Sequence, residues 1–461
     1  MRSSWAARKV VVVGAGRSGR AASELLLQLG AHVTLTDSRT AGELGASVDD
    51  LERLGATLAL GGHPPQLWES ADAVIASPGI GPSALPLVAA RACGVPVLSE
   101  IELAAAYAQA PCVAITGSNG KSTVTAMVGA ILEKAGLDAP VCGNIGVPLS
   151  TVVAAALRGE HRPDRYVLEL SSFQTETIER FRPRWSAILN LSADHLDRHS
   201  TFESYAEAKL AICTNSTSDD WLIYGADDTY LTNHLPPHPQ HVPFSATATV
   251  TVPAAWLEGN GVHWRDSAGD THRVVGTEEM QILGRHNALN AAAATALACL
   301  AGASPQDAGT ALRNFRGLEH RMELCGTVAG VRCVNDSKAT NVGATVAALR
   351  GIDDPIWLIL GGRDKGADFG ELAPHLANVR GVLLVGEATE RIAEALPAAV
   401  DSMPCDTIDV AVAKALDNAA TGEVLLLAPA CTSFDQYTDF EARGKHFRAL
   451  IADRGTPDVA R

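Results

Sequence analysis

Short apolar runs that stop at glycine or at a polar turn recur along the whole chain, separated by Ala/Leu-rich stretches of helical period. "KVVVVGAG" (9–16), "AHVTLTD" (31–37), "DAVIASPG" (72–79) and "VPVLSE" (95–100) make a first series, and "PCVAITG" (111–117), "RYVLELSS" (165–172) and "SAILNLS" (186–192) a second. A third runs through "VRCVNDSKATN" (331–341), "PIWLILGGRDKG" (355–366), "GVLLVGEA" (381–388) and "EVLLLAPA" (423–430). Alternation of such strands with helices predicts α/β units built on parallel sheets, with helices on both faces. At 461 residues the chain is too long for one core. Three domains are expected, over 1–100, 101–317 and 318–461. Between 215 and 280 the pattern changes: "TATVTVPAAW" and "NGVHWRDSAGDTHRVV" alternate and are rich in turns. They predict antiparallel hairpins inserted before the helix "NALNAAAATALACLA" (287–301).

In doubly wound sheets ligands bind at the carboxyl ends of the strands, and the polar motifs fall there. "GAGRSG" (14–19) follows a strand and opens a helix, and Asp37 ends the next strand. That is the dinucleotide fingerprint, with helix-start amides on a diphosphate and the acid on a ribose. NAD(P), another nucleotide or a merely tight turn all remain open on these residues. "ITGSNGKST" (115–123) is a shortened phosphate loop, with only Ser118 and Asn119 between Gly117 and the Gly120–Lys121 pair. Its amides and helix dipole would hold a triphosphate, Lys121 would reach the outer phosphates, and Ser122 would offer its hydroxyl to Mg²⁺. The first series therefore predicts an N-terminal Rossmann-like domain, the second a central P-loop ATPase-like parallel sheet, and the third a C-terminal Rossmann-like domain.

Glu169, inside the apolar run "VLEL", needs a partner, either Mg²⁺ or an arginine in the core. "LNLSADHLDRHS" (189–200) clusters Asp194, His195, Asp197, Arg198 and His199 just past a strand, as a metal or substrate loop would. On the helix "TFESYAEAKLAIC", Lys209 shares a face with Phe202, Tyr205, Ala206, Ile212 and Cys213. A lysine there either snorkels outward or is buried; if buried, it favours the neutral amine, which can take up CO₂ as a carbamate. Asn287 and Asn290 would read an adenine edge or cap their helix, and Arg321 would reach a transferring phosphoryl group as domains close. Asp336, Lys338 and Thr340, then Lys365, Ser433 and Phe440, suit a substrate bearing carboxylates.

The formal charge of −15, without a Lys/Arg run, argues against nucleic acid. Nine cysteines form no C-x-x-C pair and read as free thiols of a reducing compartment. No stretch reaches the ~18 apolar residues of a membrane span. The four N-terminal valines end at glycine and read as a strand rather than a signal peptide.

With "TGSNGKST", "ELSSFQ", "DHLDRH", "AKL", "GRHNALNAAAA", "GLEHR", "NDSKATN" and "GGRDKGADF" in this order, the chain resembles the Mur ligases of peptidoglycan synthesis over nearly its whole length. The stretch 215–280 and the C-terminal tail carry little or none of that likeness. The resemblance implies a cytoplasmic, monomeric, ATP-dependent ligase acting on UDP-N-acetylmuramoyl-L-alanine and glutamate, with no nucleic acid and no membrane insertion. It turns the first glycine loop into a uridine diphosphate site. Asp37, Ser38 and Arg39 would lie at the uracil, Ser77, Pro78, Gly79 and Ile80 near the diphosphate, and Asn144 and His195 on the nucleotide sugar. Gly117, Ser118, Asn119, Gly120, Lys121, Ser122 and Thr123 would bind ATP, completed by Asn287, Arg321, Asp336 and Lys338. Ser122 and Glu169 would hold one Mg²⁺, and His195 with a carbamylated Lys209 the second. Thr340, Lys365, Ser433 and Phe440 would take the glutamate. By the same likeness Lys121, Glu169, His195, Lys209 and Arg321 are the catalytic set.

Overall fold

The computed structural model describes residues 4–454 except 193, 195, 238, 239, 250, 283 and 365. The chain divides into two compact units, Met1–Thr277 with Leu289–Arg313, and Glu278–Ala288 with Asn314–Arg461. It is a three-domain α/β protein: the first unit carries two sheets and the second unit one.

The first sheet is wholly parallel, in the order β3-β2-β1-β4-β5, from β1 (Lys9–Val13), β2 (His32–Asp37), β3 (Thr57–Leu60), β4 (Ala73–Ala76) and β5 (Val97–Ser99). The order reverses at β1, so the turns after β1 and β4 meet at a switch point, where ligands lodge in such sheets. The edge strand β3 was not legible, because its residues are only half buried and lack a continuous apolar run.

The second sheet has nine strands: β6 (Cys112–Thr116), β7 (Val141–Gly143), β8 (Tyr166–Glu169), β9 (Trp185–Ile188), β10 (Trp221–Gly225), β11 (His241–Ser245), β12 (Ala254–Glu258), β13 (Gly261–Arg265) and β14 (Thr271–Gly276). Their order is β14-β13-β12-β11-β10-β9-β6-β8-β7. The expected hairpins over 215–280 are corrected here. β10 and β11 continue the parallel sheet outward from β9, and only β12, β13 and β14 form an antiparallel meander on its edge. Leu222, Ile223, Val242 and Phe244 are buried, and strands covered on both faces do not alternate. One apolar core joins the two sheets of this unit, running from Val10, Leu25 and Leu35 through Ile101 and Tyr107 to Leu149, Leu168 and Ile188. Helix Arg17–Gln28 is tied to helix Leu149–Leu157 by Gln28 Nε2 donating to Ala154 O at 3.2 Å.

The second unit's sheet runs β15-β16-β20-β17-β18-β19, from β15 (Glu323–Val328), β16 (Val331–Asn335), β17 (Ile356–Gly361), β18 (Val379–Val385), β19 (Ser402–Asp406) and β20 (Val424–Leu427). Only β15 is antiparallel. Leu358, Leu360, Leu384 and Leu426 face one helical layer, and Ile359, Leu383, Val385 and Leu427 face the other. Each such side chain contributes about 1.5–3 kcal/mol on full burial, which is why successive positions in the middle of these strands are apolar on both faces. Among the described residues no helix is long and apolar enough to cross a membrane.

Candidate active site

The phosphate loop lies between β6 and helix Lys121–Lys134. Gly117 has φ +146°, and a Cβ there would sit 2.9 Å from the Leu189 Cβ; Gly120 has φ +82°, and its Cβ would fall 2.5 Å from Asn290 Oδ1. Backbone conformation and space both demand glycine at these two positions. The Ser118 and Asn119 amides donate to Asn190 O (2.9 Å) and Oδ1 (2.8 Å), which fixes the loop against the turn after β9. Lys121 folds back, Nζ donating to Gly117 O at 2.8 Å and Ser118 O at 2.9 Å, so its cation lies over the loop at a helix N-terminus. Ser122 and Thr123 are buried in the first turn of that helix.

Glu169 ends β8, paired with Ile115 of β6, and is 2% exposed. Its Oε1 accepts from Asn144 Nδ2 at 2.8 Å, while the buried Oε2 has no hydrogen-bond partner. A carboxylate oxygen left so is costly unless a cation meets it. Among the described residues no three His, Cys, Asp or Glu side chains gather as a metal nest. A hydroxyl, one carboxylate and the oxygens of a phosphate suit Mg²⁺, which keeps waters and takes few protein ligands. Asn144 holds the Glu169 carboxylate in place, a contact the sequence reading did not give it. His195 lies outside the described residues. Its neighbour His199 is buried, with Nε2 3.0 Å from Ser172 Oγ and its ring stacked on Phe173.

Lys209 is buried at 1% exposure on helix Phe202–Leu210, so the interior alternative holds over the snorkelling one. Nζ lies 3.5 Å from Thr116 Oγ1, immediately before the phosphate loop, and 4.7 Å from the centre of the Tyr205 ring. Burial first, then the Lys121 charge, push its pKa down to about 6, against the pull of Asp194 and Glu169. At neutral pH the group is mostly a free amine.

In the first sheet Gly14 has φ +97°, and a Cβ on Gly19 would lie 1.8 Å from Gly14 O, so the turn and helix approach as the fingerprint requires. Asp37 is engaged within the turn itself. Its Oδ2 accepts from Ala15 N at 2.7 Å, and its Oδ1 from Arg39 N (2.9 Å) and Nε (3.0 Å). The Arg39 guanidinium holds this carboxyl well below the usual carboxylate range. Asp37 therefore braces the turn and aims Arg39. Ser77 is likewise engaged, Oγ donating to Gly14 O at 2.9 Å. Pro78 O accepts from Arg198 at 3.3 Å, Ile80 lies against Gly14, Gly79 borders open space, and Ser38 is exposed.

In the second unit, the turns after β16, β17 and β20 converge on one buried guanidinium, Arg443, which the sequence reading missed. Its Nε donates to Ser337 Oγ at 2.9 Å, and its Nη2 to Ser337 O (2.9 Å) and Cys431 O (3.1 Å). Gly362 lies against it. The available signal was spacing: Arg443, Phe447 and Ile451 recur every four residues on the core face of helix Phe440–Ala452. Around this strut stand Ser433, buried, and Phe440, whose carbonyl accepts from Ser337 Oγ at 2.9 Å and whose ring lies 5.6 Å from Lys338 Nζ. The Thr340 amide donates to Lys338 O at 2.8 Å. Asp336 is buried beside Arg321 and raised to about 6 by desolvation, with the Arg321 charge opposing. Lys365 lies outside the described residues. Of the two asparagines near 290, Asn290 meets the phosphate loop at Gly120, whereas the Asn287 amide closes its helix's first turn on Gly284 O at 3.0 Å.

A phosphate loop on a parallel sheet, a preceding sheet with a nucleotide-type turn and a third α/β domain define a multi-domain nucleotide-using enzyme. Family models match in the same order: the Mur ligase MurD-like N-terminal domain over 8–99, the Mur ligase middle domain over 115–298, and the Mur ligase glutamate ligase domain over 320–431. The chain belongs to the Mur ligase family. It is 41% identical over 452 residues to the UDP-N-acetylmuramoylalanine–D-glutamate ligase of Acidobacterium capsulatum, covering 97% of each chain. It is 40% identical over 447 residues to the enzyme of the same name from Geotalea daltonii, covering 96% of this chain and 97% of that one. Among solved structures it is similar in fold to the MurF ligase of Thermotoga maritima in complex with ADP, with TM-score 0.60, 16% identity, and 92% and 96% of the two chains covered. It is also similar to the UDP-N-acetylmuramate-alanine ligase MurC of the same organism, with TM-score 0.59, 19% identity, and 95% and 98% covered.

Proposed function

We infer that this chain is an ATP-dependent ligase that joins D-glutamate to UDP-N-acetylmuramoyl-L-alanine, in the cytoplasmic synthesis of peptidoglycan precursors, and that it works as a monomer. About 40% identity over nearly the full length to ligases of that name carries the substrates. The buried Lys209 amine beside the phosphate loop and the unpartnered Glu169 oxygen carries the chemistry. Domains over 1–100, 101–317 and 318–461 take the nucleotide sugar, ATP and the amino acid in turn.

An alanyl carboxylate oxygen attacks the γ-phosphorus of ATP, the β–γ P–O bond breaks, and ADP leaves an acyl phosphate. The glutamate amine then attacks that carbonyl carbon, loses a proton, and inorganic phosphate departs with the C–O electron pair as the amide forms. Lys121 and the helix behind it offset charge gathering on the γ-phosphoryl group, and Arg321 adds to this as the site closes. Two Mg²⁺ ions, one on Ser122 and Glu169 and one on His195 and a carbamylated Lys209, would neutralise phosphate charge. The free amine of Lys209 forms an N–C bond to CO₂ and gives up a proton, turning a buried base into an anionic ligand. Asn144 orients Glu169. Asn287, Asp336 and Lys338 complete the ATP side, while Thr340, Lys365, Ser433 and Phe440 hold glutamate in a site braced by Arg443.

Release of ADP in a coupled assay tests this. Turnover should require UDP-N-acetylmuramoyl-L-alanine and D-glutamate together and fail with L-glutamate. Equal rates with the two enantiomers, or ADP release indifferent to the nucleotide sugar, would remove the assignment.

A further inference from the structure

The phosphate loop and the glycine-rich turn lie at the carboxyl ends of their strands. At the opposite end, where β6 begins at Cys112, the first unit holds a cavity of about 310 Å³. That volume is at the lower end of the roughly 300–1,000 Å³ of small-molecule sites. Trp5, Leu98, Leu103, Ala105 and Phe181 give it apolar walls, and the Arg8 guanidinium backs the Trp5 ring at 5.8 Å. Two charged groups in the lining are not used up by the fold. Glu102, on helix Glu100–Ala105, is 8% exposed. The amides of Glu179, Arg180 and Phe181 all donate to its Oε1, at 2.9, 2.9 and 2.8 Å. Among the described residues its Oε2 has no hydrogen bond. Arg180 lines the same cavity and is exposed, and among the described residues it makes no ion pair, whereas Arg182 is paired with Asp220. A carboxylate oxygen held at this depth calls for a donor, and a cationic one gives the stronger bond. The lining therefore offers an acceptor to an ammonium, a guanidinium to a carboxylate, and apolar walls to whatever joins them.

We propose that this cavity binds a free α-amino acid with an apolar side chain. The ammonium lies on Glu102 Oε2, the carboxylate on Arg180, and the side chain against Trp5 and Phe181. The site is separate from the ligase chemistry: β6 runs from Cys112 at the cavity to Thr116 before the phosphate loop, about 13 Å along the strand. None of the groups that would touch the amino acid is one assigned above to ATP, nucleotide sugar or glutamate.

Isothermal titration calorimetry of the full chain with phenylalanine provides the test, with and without ATP and D-glutamate. A ligand of that size should bind with a Kd of about 1 mM, unchanged by either addition. Phenethylamine, which lacks the carboxylate, and 3-phenylpropionate, which lacks the ammonium, should each bind about tenfold more weakly. Arg180→Ala, a change at an exposed position, should weaken phenylalanine about tenfold and leave phenethylamine unaffected. Glu102→Gln keeps an oxygen for the three amides; it should weaken phenylalanine and leave 3-phenylpropionate unaffected. Both variants should keep wild-type ADP release. No saturable heat at about ten times the expected Kd overturns the proposal. So does phenylalanine binding at wild-type strength in both variants, or a loss in Arg180→Ala shared equally by all three compounds. An affinity lowered by D-glutamate places phenylalanine in the ligase's own amino-acid site and overturns it as well.

Discussion

Among the described residues two Lys/Arg side chains, Lys209 and Arg443, are buried, and the structure treats them in opposite ways. Lys209 is 1% exposed and Arg443 is 2% exposed, so desolvation penalises both. Arg443 is met by three oxygens at 2.9–3.1 Å in the fork geometry that a guanidinium presents, and its pKa falls only to about 10. Among the described residues Lys209 has a single hydrogen-bond contact, at 3.5 Å, and an aromatic ring, with a second lysine's charge nearby, and its pKa falls to about 6. Arg443 therefore keeps its charge and braces three turns; Lys209 is mostly a neutral amine at neutral pH. Acceptor geometry, rather than depth, decides which buried base is architecture and which is chemistry.

The largest expected effect tests the reactive member. Lys209→Ala should lower kcat about a hundredfold or more, the scale of losing a group that acts on transition-state charge. It should leave thermal stability equal or slightly higher, because a desolvated base has gone. Millimolar formate or acetate should restore part of the rate by standing in for the carbamate oxygens, and Lys209→Arg, still charged, should not respond. Near-normal turnover by the alanine variant would end the carbamate reading. The complementary change, Arg443→Ala, should cost on the order of 3 kcal/mol in stability, because it strands buried carbonyls at Ser337 and Cys431. The loss is readable as a lower urea midpoint together with a raised KM for glutamate. Arg443→Lys should recover little, since it restores charge without the fork. A wild-type midpoint in Arg443→Ala would mean that the three turns do not depend on it.

The same contrast explains what could be read from sequence. The phosphate loop, the glycine-rich turn and the three strand series were legible because glycine at a positive φ and strands buried on both faces leave a composition mark. Lys209 was visible as a polar residue on an apolar helical face, although its burial could not be decided against snorkelling, which depends on what lies opposite. The local use of the Asp37 carboxylate, by the Ala15 amide and Arg39, was not legible, because no spacing rule distinguishes a brace from a ligand. Strands β10 and β11 leave no mark of their own, because neighbouring turn-rich segments dominate the pattern over 215–280. Arg443 was overlooked since its partners, two backbone carbonyls and a serine, come from turns about 106 and 12 residues away.

The smallest expected effect extends the comparison to an acid. Asp336 is 7% exposed and its pKa is raised to about 6 by burial, which outweighs the Arg321 charge, the Met322 amide at 3.3 Å and the Lys338 charge. Unfolded, the group titrates near 3.8. Between those values the native state holds a proton that the unfolded chain has released. The stability linked to it is fully present below pH 3.8 and is lost as the pH rises through about 6. At pH 8 the fold therefore carries an ionised carboxylate at a penalty on the order of 2–3 kcal/mol, and Asp336→Asn removes it with nearly the same shape. The variant should melt above wild type at pH 8, by about 4–12 °C for a domain of this size, and the gap should close as the pH approaches 4. If function retains the charge, as it discards that of Lys209, the same substitution should depress ligase turnover. A variant that is neither more stable at pH 8 nor slower would show that Asp336, like Arg443, is paired well enough to keep its charge at that pH.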